Sequence, residues 1–547
     1  MQDSYDVVVL GSGAAGCTAA LTAAVEGASV ALLEKGDGFG GTTAMSGAIV
    51  WIPANPIAAR HGVVDTPEDA LAYLGSLSHG LIDPELAETL VRTGPEMLEY
   101  LAARTPVHFR LVERFPDYHP EHPGGLPDGG RSLEPELFSF DELGEWGERI
   151  APEVTIRRLR LCEQTHGGGT GVIQDETLHE REAADIRSCG LALIGALIRG
   201  CLDNGVDAET GVCGRELIVA DGRVTGVEVE IGGERRAIGA RSGVVLATGG
   251  FEWNPELVRA FLRGPMTAPA STPTNTGDGL RMAMRVGASL GNMREAWWMP
   301  CFQIPGDTYL GQPRSVLTLR ERTVPGSIMV NRRGVRFTNE AANYNAQGAA
   351  LHAFDMTAFE YANIPAWIVF DARCFESYGF SSVAPGDDPP NWFARGETVA
   401  ELGAEVGVPA DALTATVDRF NANVAATGRD PEFGRGDSAY DYWNGDQTRP
   451  GHAATLGTLE RPPYYAVQLH SGTLGTKGGP RTDRDGRVLD LDGAVIEGLY
   501  AAGNAMAGVT GMVYGGAGGT IGPAMTFAFR AGRHAAHARA SVEAAAR

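Results

Sequence analysis

DVVVLGSGAAGCTAALTAAVEGASVALLE, residues Asp6 to Glu34, joins a short apolar run, a Gly11-x-Gly13-x-x-Gly16 turn, a helix of small residues and a second apolar run ending on an acid. Strand, glycine turn, helix and strand in that order make a βαβ unit that binds a dinucleotide. Gly11 permits the tight turn, Gly13 lets the backbone approach a pyrophosphate, and Gly16 lets the helix close on the sheet. Ala14 and Ala15 open that helix, whose first N–H groups lack intrahelical acceptors and can meet phosphate oxygens. Glu34 stands where a carboxylate accepts ribose hydroxyls, with Lys35 beside it in the same site. In a chain of 74 glycines a GxGxxG match alone is weak, so the weight rests on the strand before it and the acid after it.

Beyond this unit, Gly40-Gly41-Thr42-Thr43-Ala44-Met45-Ser46-Gly47 is too polar and glycine-rich for a packed helix start, and its backbone can lie close to a ligand. Apolar residues three and four apart predict helices from about Thr66 to Arg110. The proline-rich stretch Phe115 to Pro135 reads as irregular. A helix over Gly190 to Asn204 leads to ELIVADGRVTGVEVE, a β-hairpin turning at Asp221-Gly222. Val244 to Leu246 is a buried strand that runs into another glycine turn, Ala247-Thr248-Gly249-Gly250. From about 287 to 447 the dinucleotide style stops, and an amphipathic helix is expected around Ala410 to Ala425. The first style returns at Gly498 to Asn504 and at Gly518 to Pro523, which opens a final helix. Residues 1–286 and 448–547 are therefore assigned to one α/β, Rossmann-like domain around an inserted α+β domain at 287–447, with a cleft between them.

A formal charge of -23 works against nucleic acid or an anionic membrane as a partner. The seven cysteines lie far apart and form no CxxC pair, so no metal is expected and buried, reduced thiols are. The first strand begins too early to leave room for a signal peptide, and no apolar run is long enough to span a membrane. These features predict a cytoplasmic protein.

The N-terminal fingerprint, ATGGF at Ala247 to Phe251, TNTGDGL at Thr274 to Leu280, GTKGGPRTD at Gly475 to Asp483 and AAGN at Ala501 to Asn504 resemble the fumarate-reductase-type flavoproteins. Within that group, VYGGAGGTIGPAMTF at Val513 to Phe527 and DYHPEHPGG at Asp117 to Gly125 are more similar to the 3-ketosteroid Δ1-dehydrogenases. The resemblance implies FAD, with its flavin at the boundary between the FAD domain and an inserted catalytic domain. Carried over by position, Glu34 holds the adenosine ribose, and Gly40, Gly41, Thr42, Thr43, Ser46 and Gly47 follow the pyrophosphate and flavin. Cys213, Ala247, Thr248, Gly249, Asp278, Gly503 and Asn504 add contacts, while Gly519, Thr520 and Ile521 bring a helix N-terminus to the flavin. Covalently flavinylated relatives carry a histidine in the stretch matching Thr42 to Ser46. This chain has none there, so the FAD is expected to be noncovalent.

The implied activity removes two hydrogens from adjacent carbons beside a ring ketone, foremost at the Δ1 position of a 3-ketosteroid. A carbon-bound proton beside a carbonyl becomes acidic only when the developing enolate oxygen is stabilised, so hydrogen-bond donors aimed at that oxygen are the first requirement. The family's tyrosine hydroxyl and glycine N–H match Tyr514 and Gly518. Its tyrosine base matches Tyr344, with Tyr118 assisting, and hydride goes to flavin N5. A tyrosine base, with a reference pKa near 10, needs a neighbouring donor or a positive field to act at neutral pH, so activity should rise with pH. The substrate partner is a small apolar ring ketone, and electrons leave to an external acceptor.

Two departures from the family stand out. Asn343 replaces a proline before Tyr344, and Gly515-Gly516-Ala517 replaces a proline-containing segment after Tyr514, which predicts a looser loop. The alternative for each tyrosine is a loop anchor. Trp297, Trp298, Met299 and Phe302 fit either a substrate wall or a core cluster. His119 and His122 read as solvent-facing, Lys477 as serving its own loop, and Gly167 to Gly169 as a flexible connection. The competing enzyme reading is a fumarate-reductase-like ene-reductase. Its HHTMGG-type motif would fall on Ser471 to Thr476, which holds no histidine, although His470 lies just before. A further alternative is a flavin-binding sensor without turnover, and other steroid bonds or nonsteroidal cyclic ketones remain open as substrates.

Overall fold

The structure, a computed structural model, describes residues 1–545. In chain order its main elements begin with β1 (Ser4–Leu10), α1 (Ala14–Val25), β2 (Val30–Leu33), α2 (Pro67–Leu77), α3 (Pro84–Arg104), α4 (Cys189–Asp203), β3 (Asp207–Glu209), β4 (Val212–Ala220), β5 (Arg223–Ile231) and β6 (Glu234–Leu246). Then come β7 (Ala268–Pro269), β8 (Ala296–Tyr309), β9 (Gln312–Leu317), β10 (Ser327–Asn331), α5 (Tyr344–Leu351), β11 (Ala366–Asp371), β12 (Ala394–Gly396), α6 (Ala410–Thr427), β13 (Tyr464–Thr476), β14 (Arg487–Leu489), β15 (Val495–Ala501) and α7 (Ile521–Ala545).

β1 can be an unbroken Val-Val-Val-Leu run because it is the middle of a sheet covered on both faces, where alternation with polar residues has no purpose. That eight-stranded sheet has the order β14-β15-β6-β1-β2-β3, parallel from β15 through β3, and β5 and β4 fold back antiparallel from β6. The hairpin between β4 and β5 turns at Asp221 (φ 50°) and Gly222 (φ 74°), the pair of positive φ values that matches strand twist. α1 lies between α4 and α7, and Ala14 to Ala23 are all buried. Small side chains are required there: a Cβ at Gly16 would stand 1.8 Å from the Gly11 carbonyl oxygen, and one at Gly532 would stand 2.4 Å from that of Ala19.

The second sheet has seven strands in the order β9-β8-β13-β11-β10, antiparallel along this path, with β7 and β12 also pairing with β13. It draws on both sides of the 287–447 span, since β7 and β13 lie outside it. The boundary read from glycine content misses β13 because that strand carries Gly472 and Gly475, and a Cβ at Gly472 would meet Cys301 Sγ at 2.4 Å. An aromatic cluster containing Phe115, Tyr118, Trp297, Tyr344, Tyr440, Trp443 and Tyr514 collects residues from widely separated segments of the chain. No helix among the described residues is long and apolar enough to cross a membrane, and no group of three or more His, Cys, Asp or Glu side chains among them could hold a metal ion. All seven cysteines are free; Cys162 and Cys213 are partly exposed rather than buried.

Candidate active site

A cavity of about 610 Å³ runs from the glycine turn after β1 to the aromatic cluster. Gly11, Gly13, Ala14 and Ala15 line one part of it, with Glu34 and Lys35 from the end of β2. A Cβ at Gly11 would lie 2.4 Å from the Ala247 carbonyl oxygen, so the two glycine turns touch and share one wall. The Glu34 carboxylate is fixed by the Ser12 N–H at 2.9 Å, the Ser12 hydroxyl at 2.6 Å and the Gly36 N–H at 2.8 Å. Lys35 Nζ donates to Thr276 Oγ1 and Asp278, each at 2.7 Å, which orients two charged groups along the cavity. Gly13, the capping residue of α1, has no side chain to cap the helix, and of the first helical N–H groups that of Ala14 donates to Thr43 Oγ1 at 3.0 Å, a lining hydroxyl at the same end of the cavity.

Gly41, Thr42, Thr43, Ser46 and Gly47 form the adjoining wall, and Ala247, Thr248, Gly249, Gly503, Asn504, Thr520 and Ile521 complete it. Thr248 Oγ1 is buried there without a protein partner. Glycine turns that admit a close backbone, a helix N-terminus, an acid at the strand end and an unpartnered hydroxyl fit a dinucleotide such as FAD. Four residues expected at the cofactor do not line this space. Gly16 packs on Gly11, the Gly40 N–H donates to Ser12 Oγ at 3.0 Å, and a Cβ at Gly519 would press on the Tyr514 ring at 2.9 Å. Cys213 is absent from the lining although its neighbours Val212 and Gly214 belong to it. Reading residue types alone also left out Ser12, Thr274 and Asn275, which enter through the fold.

The other part of the cavity is lined by Tyr118, Tyr344, Tyr514 and Gly518, so the structure brings all four reaction candidates together. Tyr118 Oη donates to Tyr344 Oη at 2.9 Å, and the Tyr344 and Tyr514 rings meet edge-on with centroids 5.4 Å apart. Thr520 Oγ1 donates to Tyr514 Oη at 2.9 Å. As the acceptor of this bond, Tyr514 keeps its own proton for a group in the cavity. The Gly518 N–H has no acceptor among the described residues, and its φ of +97° holds a conformation that suits glycine. Burial raises the pKa values of Tyr118, Tyr344 and Tyr514, with neighbouring tyrosines adding to the effect at Tyr118 and Tyr344. Tyr440, absent from the sequence-based set, packs on Tyr118 with ring centroids 4.8 Å apart. Burial lifts Tyr440 to about 12, against the pull of the buried Arg322 guanidinium.

The loop after Tyr514 is tightly held. Tyr73 Oη and the Tyr118 N–H both donate to the Gly515 carbonyl, at 2.6 and 3.0 Å, and a Cβ at Gly516 would lie 2.5 Å from the Trp51 ring. Trp51 Nε1 in turn donates to Asp117, which is paired with Arg131 at 2.7 Å. The glycines therefore serve close packing against Trp51, contrary to the looser loop that their composition suggests. Asn343, in place of the family's proline, caps α5 by accepting from the Ala346 N–H at 3.0 Å and so sets the start of the helix that carries Tyr344. Asn345 Nδ2 then donates to the Met512 carbonyl, tying that helix to the loop of Tyr514.

His119 is half-buried against Asn343 and is pushed down to about 4 by burial, so it does not face solvent as its loop suggested. His470 is not part of the cavity lining, and Trp297 stands behind Tyr514 with ring centroids 4.7 Å apart. Gly167 to Gly169 form a compact turn against Leu161, Glu163 and Trp443 instead of a loose connection.

The FAD binding domain family matches residues 6–521, and the chain belongs to it. Within that family it is a 3-oxosteroid 1-dehydrogenase-like flavoprotein. It is 41% identical over 568 residues to a 3-oxosteroid 1-dehydrogenase of Mycobacterium tuberculosis, covering 97% of this chain and 98% of the relative. It is 44% identical over 539 residues to a 4-oxocyclohexanecarboxylate 2-dehydrogenase of Sinomonas cyclohexanicum, covering 97% and 93%. The crystal structure of a 3-ketosteroid Δ1-dehydrogenase from Sterolibacterium denitrificans in complex with 1,4-androstadiene-3,17-dione superposes with a TM-score of 0.90 at 34% identity, covering 98% of this chain and 100% of that one. The protein is thus an FAD-dependent oxidoreductase that dehydrogenates a substrate beside a ketone.

Proposed function

We propose that this enzyme introduces a carbon–carbon double bond into the ring of a cyclic ketone, with 3-ketosteroid Δ1-dehydrogenation as the leading reaction. The observation that carries this reading is the meeting of three buried tyrosine hydroxyls and the free Gly518 N–H on one cavity wall. The Tyr514 hydroxyl and the Gly518 N–H donate to the ketone oxygen and stabilise the charge that develops as the α-proton leaves. Tyr344, ionised to the phenolate with Tyr118 as its hydrogen-bond donor, takes that proton and becomes the neutral phenol. Noncovalent FAD supplies the hydride acceptor in a Rossmann-like domain, while the unit built on the second sheet contributes Tyr344 and the substrate wall. The cofactor set assigned from the sequence acts through its lining members, and Gly16, Gly40 and Gly519 act through packing.

A smaller carboxylated ring ketone is the second reading, favoured by the likeness to the 4-oxocyclohexanecarboxylate dehydrogenase and by Arg157 and Arg314 on the cavity wall. Anaerobic mixing of the yellow protein with a 3-keto-4-ene steroid or with 4-oxocyclohexanecarboxylate decides between them. Rapid bleaching by the steroid, with a new ring double bond in the product, supports the first reading; bleaching by the carboxylate alone supports the second. Bleaching by neither, in protein that dithionite reduces, would refute both.

A further inference from the structure

Lys477 is almost completely buried, with 1% of its surface exposed, yet its ammonium lies in none of the cavity walls. Its three protons need acceptors, and two of these are backbone carbonyls of one loop: Val513 at 2.7 Å and Gly511 at 3.2 Å. Val513 immediately precedes Tyr514. The same ammonium sits 3.9 Å from the centroid of the Trp297 ring, which also packs on the Tyr514 ring with centroids 4.7 Å apart. Trp297 is held in turn by its Nε1 donating to Asn504 Oδ1 at 2.9 Å. Glu295, the carboxylate that most influences Lys477, is already paired with Arg263 at 3.3 Å. A buried ammonium without a carboxylate of its own is costly, and burial pulls this one down to about 7. Ordinary loop closure would not need a charge here, because a neutral donor could satisfy one carbonyl.

We infer that Lys477 is a positioning residue for ketone activation, holding the Tyr514 hydroxyl on the enolate oxygen through the Val513 carbonyl on one side and the Trp297 ring on the other. The inference rests on the proposed role of Tyr514 as an oxyanion donor. Misplacing such a donor by a fraction of its hydrogen-bond length weakens the transition state more than the ground state, because the charge on the oxygen is larger there. Its loss should therefore lower kcat with little change in KM. Arginine, which keeps the charge and donors, should recover part of the rate, whereas methionine should not.

The test compares Lys477→Met, Lys477→Arg and Tyr514→Phe, alone and with Lys477→Met and Tyr514→Phe combined, by anaerobic single-turnover bleaching of FAD-loaded enzyme. Expected results are a fall of about 10- to 100-fold in the limiting rate for Lys477→Met, partial recovery in Lys477→Arg, and little further loss when Lys477→Met is added to Tyr514→Phe. A wild-type rate in Lys477→Met would overturn the inference, as would a full additional loss in the double variant. Should Lys477→Met fail to fold with FAD, Trp297→Leu removes the second contact and must show the same dependence on Tyr514. An unaffected Tyr514→Phe variant would instead refute the reading of Tyr514 itself, so the two failures are distinguishable.

Discussion

Replacing Tyr514 by phenylalanine removes one oxygen from the centre of the proposed chemistry. Because Tyr514 Oη accepts from Thr520 at 2.9 Å, its own proton is the one group it can offer to a ketone. The hydroxyl is buried, so the lost hydrogen bond is not replaced by bulk water. Losing one oxyanion donor costs on the order of 100- to 1000-fold in rate, or about 2.7–4 kcal/mol. The Gly518 N–H remains and keeps residual activity above background. The ring itself stays, because it packs beside Gly519 and Trp297, so FAD content should be unchanged. Folding should lose only about 1 kcal/mol, from the Thr520 hydroxyl left without its acceptor. Stopped-flow absorbance of the oxidised flavin, under anaerobic conditions with saturating ring ketone, gives the rate, and thermal denaturation gives the stability. An unchanged reduction rate in fully flavinylated protein would refute the assignment of Tyr514 as a ketone donor.

Burial holds Tyr344 well above its usual range, so the phenolate fraction should grow about tenfold per pH unit and flavin reduction should accelerate from about pH 6 to 10 without a plateau near neutrality. Burial likewise raises Tyr514, which stays protonated as a donor over this range, and His119, lowered to about 4, stays neutral throughout. A profile already flat below about pH 8 would contradict a tyrosine base with a raised pKa. In Gly516→Ala the new Cβ would stand 2.5 Å from the Trp51 ring, so the holoenzyme should lose about 1–3 kcal/mol and bleach more slowly; unchanged melting would show that the loop has room to move. Glu34→Ala removes the acceptor of three hydrogen bonds at the proposed ribose position, and FAD should bind about tenfold more weakly, read from flavin fluorescence on dilution. Equal FAD affinity in that variant would place the adenosine ribose elsewhere.

The glycine-turn half of the candidate site was legible as a fold because its residues are local. Gly11, Gly13, Gly16 and Glu34 fall within one βαβ unit, where strand and helix periods convert spacing directly into geometry. The hairpin at Asp221-Gly222 and helices α2, α3, α4 and α6 were legible for the same reason. The extent of the second sheet was not, since β7 joins β13 across about two hundred residues, and glycine in β13 marks close packing rather than a turn.

Sequence motifs supplied the tyrosine types, but only tertiary structure determined that Tyr118 and Tyr344, 226 positions apart, share a hydrogen bond. Burial of Lys477 beneath the Tyr514 loop, the packing of Gly516 on Trp51 and the approach of Tyr440 to Tyr118 were likewise settled by contacts between distant segments. Local propensity fixes how a segment bends and which face it buries. Which hydroxyl meets which ring, and how far its pKa moves, depends on desolvation by residues the local sequence does not contain.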